Sequence, residues 1–253
     1  VRIVMPPDAS LDGHLVDGAI GYLTLTTGVA FAVALLFLLG AIVFHRARAG
    51  RTRGQHTHGN RTRDRVFMFA VALVMFVAID VTLALRTTRD LEERFWRYPN
   101  ADPTALRVEV TARQWAWTFR TAGPDGRFGT GDDVVTLNEL DIPVGRPIYL
   151  KLRSRDVVHS LYLPNFRTKI DAIPGMTTRA WFQATIAGRY EIACAQHCGV
   201  NHYKMRGLLH ARTEPDYRDW LARAETDSRL RFDTIGTRAI TPFTEAWDWE
   251  TGK

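Results

Sequence analysis

Between Cys194 and Met205 the chain reads CAQHCGVNHYKM, gathering both of its cysteines, two of its eight histidines and one of its five methionines. Two thiolates, an imidazole and a thioether on one loop make a soft ligand set. Soft sulfur selects copper, and histidine with cysteine and a weak axial methionine is the ligand combination of copper electron-transfer sites. Zinc competes for thiolate and imidazole, but it gains nothing from a thioether and prefers a closed tetrahedral shell. A further imidazole, His159 in DVVHSLYLP, stands upstream at the edge of an expected strand. A disulfide is the bland alternative for two cysteines outside the membrane. It leaves the spacing of His202 and Met205 unexplained.

Such ligands need a scaffold to bring them together. From Pro103 to Arg212, runs rich in valine and aromatics (LRVEVTA, WAWTFR, VVTL, PIYLKLRS, TRAWFQAT, GRYEIACA) alternate with Gly, Pro, Asn and Asp clusters, which predicts an all-β sandwich or barrel. In PIYLKLRS, Ile148, Leu150 and Leu152 alternate with Tyr149, Lys151 and Arg153, so one face is apolar and the other is free to be wet. Of Trp115 and Trp117, one is expected inward as core and the other outward. Beyond Arg212, EPDYRDWLARAETDSRLRF has helical spacing through Tyr217, Trp220, Leu221 and Ala224, with Pro215 near the helix start. The end of the chain, with Trp247 and Trp249, takes no element from its pattern and reads as a tail that lies on a partner.

The N-terminal part is of another kind. Leu23 to Phe44 carries no charge, and at about 1.5 Å per residue it spans roughly the 30 Å hydrocarbon core of a bilayer. Val66 to Leu85 is of the same class, with Asp80 its single charge. Neither run keeps the polar stripe of a soluble helix. The loop between them holds Arg46, Arg48, Arg51, Arg53, Arg61, Arg63 and Arg65 against Asp64, an arginine excess that keeps a short loop in the cytoplasm. The N-terminus and the C-terminal part are therefore expected on the outer, periplasmic side of a bacterial-type inner membrane. Arginine clusters also bind nucleic acid; flanked by two spans, this one is not read that way, and its partner is the lipid surface. From Val1 onward no signal-peptide pattern is seen. The expected organisation is residues 1–102 for the tail, the two spans, the basic loop and a linker, 103–212 for the β-domain, and 213–253 for the helix and tail.

With RQWAWTF, NELDIPVGRPIYLKLRSRDVVHSLYLPNFRTKIDAIPGM and GRYEIACAQHCGVNHYKMRG added, the layout resembles subunit II of cytochrome c oxidase, the CuA-bearing member of the haem-copper oxidase family, over nearly the whole chain. The resemblance implies a two-helix transmembrane hairpin followed by an all-β cupredoxin-like Greek-key barrel. It also implies a dinuclear copper centre, in which Cys194 and Cys198 bridge two coppers and His159 and His202 each ligate one. Met205 would be axial to one copper and the Gln196 backbone carbonyl to the other. Trp115 matches the exposed aromatic through which the family takes electrons from cytochrome c. The electron would leave on the His202 side toward haem in subunit I, where oxygen is reduced to water and protons are translocated; subunit III is a further partner. The chain has no Cys-x-x-Cys-His motif, so no haem is expected in it.

Two departures from the family pattern stand out. Gln196 replaces the glutamate whose carboxylate reaches a magnesium or manganese ion at the subunit I interface, and an amide is a poorer ligand for a hard cation, so that metal is not expected. Residues 101–212 hold roughly 15 Lys and Arg against 10 Asp and Glu, about +5, where the family offers an acidic face to basic cytochrome c, so a less basic donor is expected. His197 has no counterpart among the family ligands, and His56 and His58 read as solvated. Asp80 lies toward the outer end of its span and reads as bonded to subunit I; Asp64, at the inner end, is better placed for a proton entrance. GPDGRFGTGDD sets Asp125, Asp132 and Asp133 among glycines as some calcium loops do, yet lacks an EF-hand's spacing and closing glutamate, and reads as a β-turn loop. A membrane-anchored copper chaperone or thiol oxidoreductase would need neither this strand pattern nor Met205. The CuA subunit of a nitric oxide reductase is the alternative nearest in design. Quinol oxidase subunits of this fold are disfavoured, because such relatives lose the copper ligands.

Overall fold

A computed structural model describes residues 5–46, 58, 59, 61–100, 102–123 and 125–235, with side chains to residue 227. His56, Arg48, Arg51, Arg53 and the tail with Trp247 and Trp249 lie outside the described residues. The chain divides into a helical unit, Leu15–Arg94, and a β-unit formed by the residues before it and after it.

In the helical unit, α1 runs Gly13–His45 and α2 runs Thr62–Phe95. Both are apolar all round, with large side chains such as Phe31, Phe37 and Phe69 exposed, as a helix facing lipid requires. The hydroxyls of Thr24 and Thr26 donate to the Ile20 and Tyr22 carbonyls at 2.8 and 2.9 Å, which leaves them no unmet polarity. The second helix outlasts its apolar stretch and continues past Leu85 to Phe95, with Arg89 and Glu93 paired at 3.1 Å one turn apart. A polar helix end needs water rather than lipid, so hydrophobicity alone does not mark where it stops. Asp80 is exposed within a π-helical turn, Phe76–Val81. That widened turn breaks the regular ladder, and the Tyr22 hydroxyl donates to the Ala78 carbonyl there.

The β-unit is a sandwich of two five-stranded sheets, ordered β3-β2-β1-β5-β8 and β4-β10-β9-β6-β7. Their strands are β1 Leu106–Arg113, β2 Ala116–Thr121, β3 Val134–Leu137, β4 Glu139–Pro143, β5 Pro147–Ser154, β6 His159–Leu163, β7 Thr168–Ala172, β8 Thr178–Gln183, β9 Gly188–Cys194 and β10 Arg206–Arg212. β1 with β5 and β4 with β10 pair in parallel, each joining strands distant in sequence, which gives the cupredoxin-like Greek-key arrangement. Val108, Val110, Ile148, Leu150, Leu152, Leu161, Leu163 and Ile192 close the core between the sheets. Trp117 points into it with no exposure; residues two apart would share a face within one strand, but Trp115 sits in the turn before β2 and is half-buried, so the turn and not alternation separates the two rings.

The outer face of β5 departs from the expected wet surface, for Tyr149 and Lys151 are only 2% and 3% exposed. Two loops cover it. The linker after α2 lays Tyr98 on Tyr149, with ring centroids 5.7 Å apart and Arg179 5.2 Å above the Tyr98 ring. The Trp181 indole donates to the Phe95 carbonyl at 3.1 Å. On the other side, the glycine-rich loop after β2 folds back so that Arg120 is held between Glu109, at 3.2 Å, and Asp133, with Phe128 stacked at 5.6 Å. Asp132 accepts from the Asp125 N–H at 3.2 Å and the Thr130 hydroxyl, and Asp133 also accepts from the Gly129 N–H at 2.8 Å. Carboxylates engaged by N–H, hydroxyl and guanidinium donors are those of a self-bonded turn.

At the C-terminal side, α3 is Glu214–Ile235. Thr213 and Asp216 cap its first turn reciprocally, the Thr213 hydroxyl donating to Asp216 at 2.6 Å. Tyr217 is buried, and Trp220 and Leu221 lie against the core, along the face read from their spacing. At the other end, the residues before α1 form an edge pairing that the sequence pattern did not disclose. Ala9 donates to Asn165 at 2.9 Å and accepts from Thr185 at 2.8 Å, and Leu11 donates to Gln183 at 3.0 Å.

Removing Arg120 takes the guanidinium partner away from the buried carboxylates of Glu109 and Asp133. Arg120→Ala should cost about 3–5 kcal/mol, read as a lowered denaturant midpoint of the β-unit by tryptophan fluorescence; an unchanged midpoint would contradict the buried charge cluster.

Candidate metal centre

The centre is assembled by strand register. β6 begins at His159 and pairs with β9, which ends at Cys194, so that Leu161 stands opposite Cys194. The Ala195 N–H donates to the Ser160 carbonyl at 2.9 Å, extending that pairing past the strand end. The loop from Cys194 to Met205 then closes on itself: the Cys194 N–H donates to the Met205 carbonyl at 3.1 Å, and the His202 N–H to Gly199 at 3.0 Å. A short 3-10 turn, His202–Lys204, returns the chain to β10.

All six donors named from the sequence come together here. Cys194 Sγ lies 3.8 Å from Cys198 Sγ and 3.2 Å from the Gln196 carbonyl oxygen. Cys198 Sγ lies 3.5 Å from His202 Nδ1 and 3.8 Å from Met205 Sδ, which is 3.1 Å from His159 Nδ1. Both imidazoles present Nδ1 to the sulfurs. His159, Cys198 and Met205 are buried, while Cys194 and His202 are half-buried. The cysteines are free thiols, for 3.8 Å is far beyond the disulfide bond of about 2.05 Å. An ion with a metal–sulfur bond of roughly 2.3 Å can touch both sulfurs at once at that separation. The donor set therefore fits soft metal, and copper in particular, because a buried thioether among thiolates and imidazoles offers little to zinc.

Electrostatics divides the two thiols. Burial disfavours ionisation of Cys194, but hydrogen bonds from His159 and from the Ser160 and Gln196 backbone bring its pKa down to about 6. Burial and the neighbouring Cys194 push Cys198 up to about 12. Burial also opposes a charge on His159, yet Cys194 and Asp156 beside it raise its pKa. In the metal-free chain one thiolate thus faces an imidazole that welcomes its proton.

Two residues that sequence reasoning missed hold this arrangement. Asp156 accepts from His159 Nε2 at 2.8 Å and from the Gln114 N–H at 2.6 Å, which orients the ring so that Nδ1 faces the sulfurs. Gln114 Nε2 donates to the Cys198 carbonyl at 2.7 Å, beside the Trp115 indole, which donates to the same oxygen at 3.2 Å. The only sequence signal for Asp156 was its place three residues before His159. Gly199 makes this approach possible: its φ is +119, and a Cβ there would stand 2.9 Å from Gln114 and 3.2 Å from the Trp115 ring. The Trp117 ring closes the inner side, edge-on to His159 at 6.1 Å. His197 is exposed on the loop with its ring 5.5 Å from that of His202, and His58 is exposed in the helical unit's connection.

Two apolar helices bearing a β-sandwich with converging sulfur and imidazole donors define a membrane-anchored cupredoxin-like subunit. Residues 125–211 match the family described as cytochrome c oxidase subunit II, periplasmic domain. The alternative cytochrome c oxidase subunit 2 of Bradyrhizobium diazoefficiens is 31% identical over 85% of this chain and 82% of its own length. A quinol oxidase subunit 2 of Bacillus subtilis is 28% identical over 88% of this chain and 65% of its own. The crystal structure of the periplasmic domain of cytochrome oxidase subunit II from Bradyrhizobium japonicum is similar with a TM-score of 0.43 and 26% identity, covering 48% of this chain and 94% of that one. This chain belongs to the cytochrome c oxidase subunit II family of the haem-copper oxidases.

In the metal-free protein, iodoacetamide should label Cys194 at pH 7, with a rate that rises through a midpoint near pH 6 as the thiolate forms, while Cys198 stays unlabelled until the fold opens. Peptide mass mapping across the pH series checks this. Equal labelling of both thiols, or a midpoint near the free-thiol value, would contradict the division of charge. Gly199→Ala should displace the Trp115 ring, seen as a shift in tryptophan emission with Trp117 left in place.

Proposed function

We propose that this chain is the electron-input subunit of a cytochrome c oxidase, with residues 103–212 as its copper domain. The observation that carries the reading is the convergence of two thiol sulfurs, two Nδ1 atoms, a thioether and a backbone carbonyl at one end of the sandwich. Cys194, Cys198, His159, His202, Met205 and the Gln196 carbonyl would together hold a pair of coppers. When bound, such a pair supplies a one-electron store whose valence change is shared by several bonds.

The protein's own part is to hold, orient and insulate. Asp156 fixes the His159 ring, and the core around Trp117 keeps water from the buried donors. Trp115 donates directly to the carbonyl of Cys198, so its ring offers a path from the surface to a bridging residue. His202 sits on the half-buried side of Cys198, where the electron would pass to haem in subunit I, the site of oxygen reduction and proton translocation. Subunit III would complete the assembly, and a magnesium or manganese ion at the subunit I interface is not expected beside Gln196. Asp80, exposed on the helical unit, would be met by a hydrogen-bonding group of the partner, since lipid offers none.

Connectivity supports a hairpin with both ends on one side. Residues 6–11 are bonded to the β-unit, and the chain returns to that unit at Phe95, which requires an even number of crossings. Arginines in the connecting loop favour its cytoplasmic placement, and hence a periplasmic copper domain. The quinol oxidase relative raises a second reading, in which electrons come from quinol. Retention and convergence of all six donors favour the copper route.

Low-temperature electron paramagnetic resonance of the copper-loaded protein should show one electron spread over two copper nuclei, and Cys198→Ser should abolish that pattern. A single-copper spectrum in the unaltered protein would overturn the dinuclear assignment. Trp115→Leu should slow electron input from reduced cytochrome c about tenfold or more while leaving copper content intact; unchanged input would remove Trp115 from the path.

A further inference from the structure

The surface through which the donor must approach has its own chemistry. Trp115 is flanked by residues tied to its turn: Arg113 and Gln114 precede it, Arg155 donates its N–H to the Ala112 carbonyl at 3.0 Å, and Gly199 lies against its ring. Val157 and Val200 complete the rim, at 36% and 82% exposed. Arg113 and Arg155 are both exposed. Asp156, next to Arg155 in this loop, has its oxygens engaged by His159 Nε2 at 2.8 Å, the Gln114 N–H at 2.6 Å and the Val157 N–H at 2.7 Å. Among the described residues, the patch therefore presents one aromatic edge, aliphatic surface and the positive charge of Arg113 and Arg155.

We infer that the donor docks on this patch with an acidic rim: a soluble redox protein whose carboxylates surround its exposed redox edge. The inference rests on the electron-input reading and adds to it the sign of the partner's charge. Arginine beside tryptophan is the composition of an interface centre, where the aromatic fills a desolvated contact and positive charge around it meets a partner's carboxylates. Opposite charges around that contact speed encounter and reject like-charged proteins. Because such steering acts through solvent, it weakens as salt shortens the screening length to about 8 Å at physiological ionic strength. A strongly basic cytochrome would meet repulsion at Arg113 and Arg155 where it needs attraction.

The test uses the intact detergent-solubilised oxidase complex and two immobilised probes, a c-type cytochrome of net negative charge and one of net positive charge. Association rates are measured as salt is raised from about 10 to 200 mM. The acidic probe should bind faster at low salt, losing about tenfold or more across the range, and the double variant Arg113→Glu, Arg155→Glu should lower its low-salt rate by a similar factor. That variant should also speed the basic probe. Arg189→Glu, at the end of β9 away from Cys194, should change neither, which separates a local effect from net charge. Faster low-salt association of the basic probe, or rates indifferent to salt for both, would overturn the inference. Paramagnetic resonance on the same preparation keeps the two levels apart. A copper-pair signal with the wrong salt response sinks only the donor's charge, while loss of the signal in the unaltered complex removes the electron-input reading and the inference with it.

Discussion

The pairing of β6 with β9 is the constraint on which the rest of the site depends. It places His159 beside Cys194, and the bond from the Ala195 N–H to the Ser160 carbonyl carries the pairing into the loop. Everything else in the loop is local: Cys198, His202 and Met205 follow within one closed turn, held by backbone bonds that return to Cys194. A slip of one residue in that register would turn His159 to the opposite face and leave three sulfurs with a single imidazole. Because the core residues Leu161, Leu163 and Ile192 alternate on the same two strands, hydrophobic burial enforces the register that the donors need.

Around that fixed point the structure builds a stiff support from polar groups. Asp156 spans the His159 ring and the Trp115 turn, while Gln114 and Trp115 both end on the carbonyl of Cys198. The aromatic at the surface and the ligand at the core are thus tied by hydrogen bonds to the same loop. Such rigidity suits electron transfer, since a site that moves little between oxidation states loses little energy to rearrangement. The cost is borne by residues with no other freedom, Gly199 above all, whose backbone and close neighbours leave no room for a side chain.

Farther from the site, the outer face of the first sheet is covered by chain that enters from two directions. The linker from α2 brings Tyr98 onto Tyr149, and the glycine-rich loop brings Asp133 to Arg120. Burying Glu109, Arg120 and Lys151 would be costly for isolated charges, so the face is stable only because opposite charges are buried together. The helical unit solves a simpler problem. The Thr24 and Thr26 hydroxyls return to their own helix, and the widened turn that holds Asp80 finds a donor in Tyr22.

Local pattern was enough to name much of this protein. Unbroken apolar runs specify helices that lipid can cover, period-two alternation specifies strands, and the sulfurs and imidazole between Cys194 and Met205 point to a soft metal, because each of these depends only on residue type and short spacing. The spacing of Tyr217, Trp220 and Leu221 likewise foretold the buried face of α3. Tertiary structure alone decided what depends on distant segments meeting. The outer face of β5 reads as wet by alternation, yet it is dry because Tyr98 and the loop carrying Asp133 return to cover it. Ala9, separated from the strands in sequence by both apolar helices, joins the sandwich at an edge. Asp156 and Gln114 carry no motif, and they become supports only when the turn before Trp115 is brought against the ligand loop. Hydrogen bonds across such separations are set by the fold's register, and no window of sequence contains both partners.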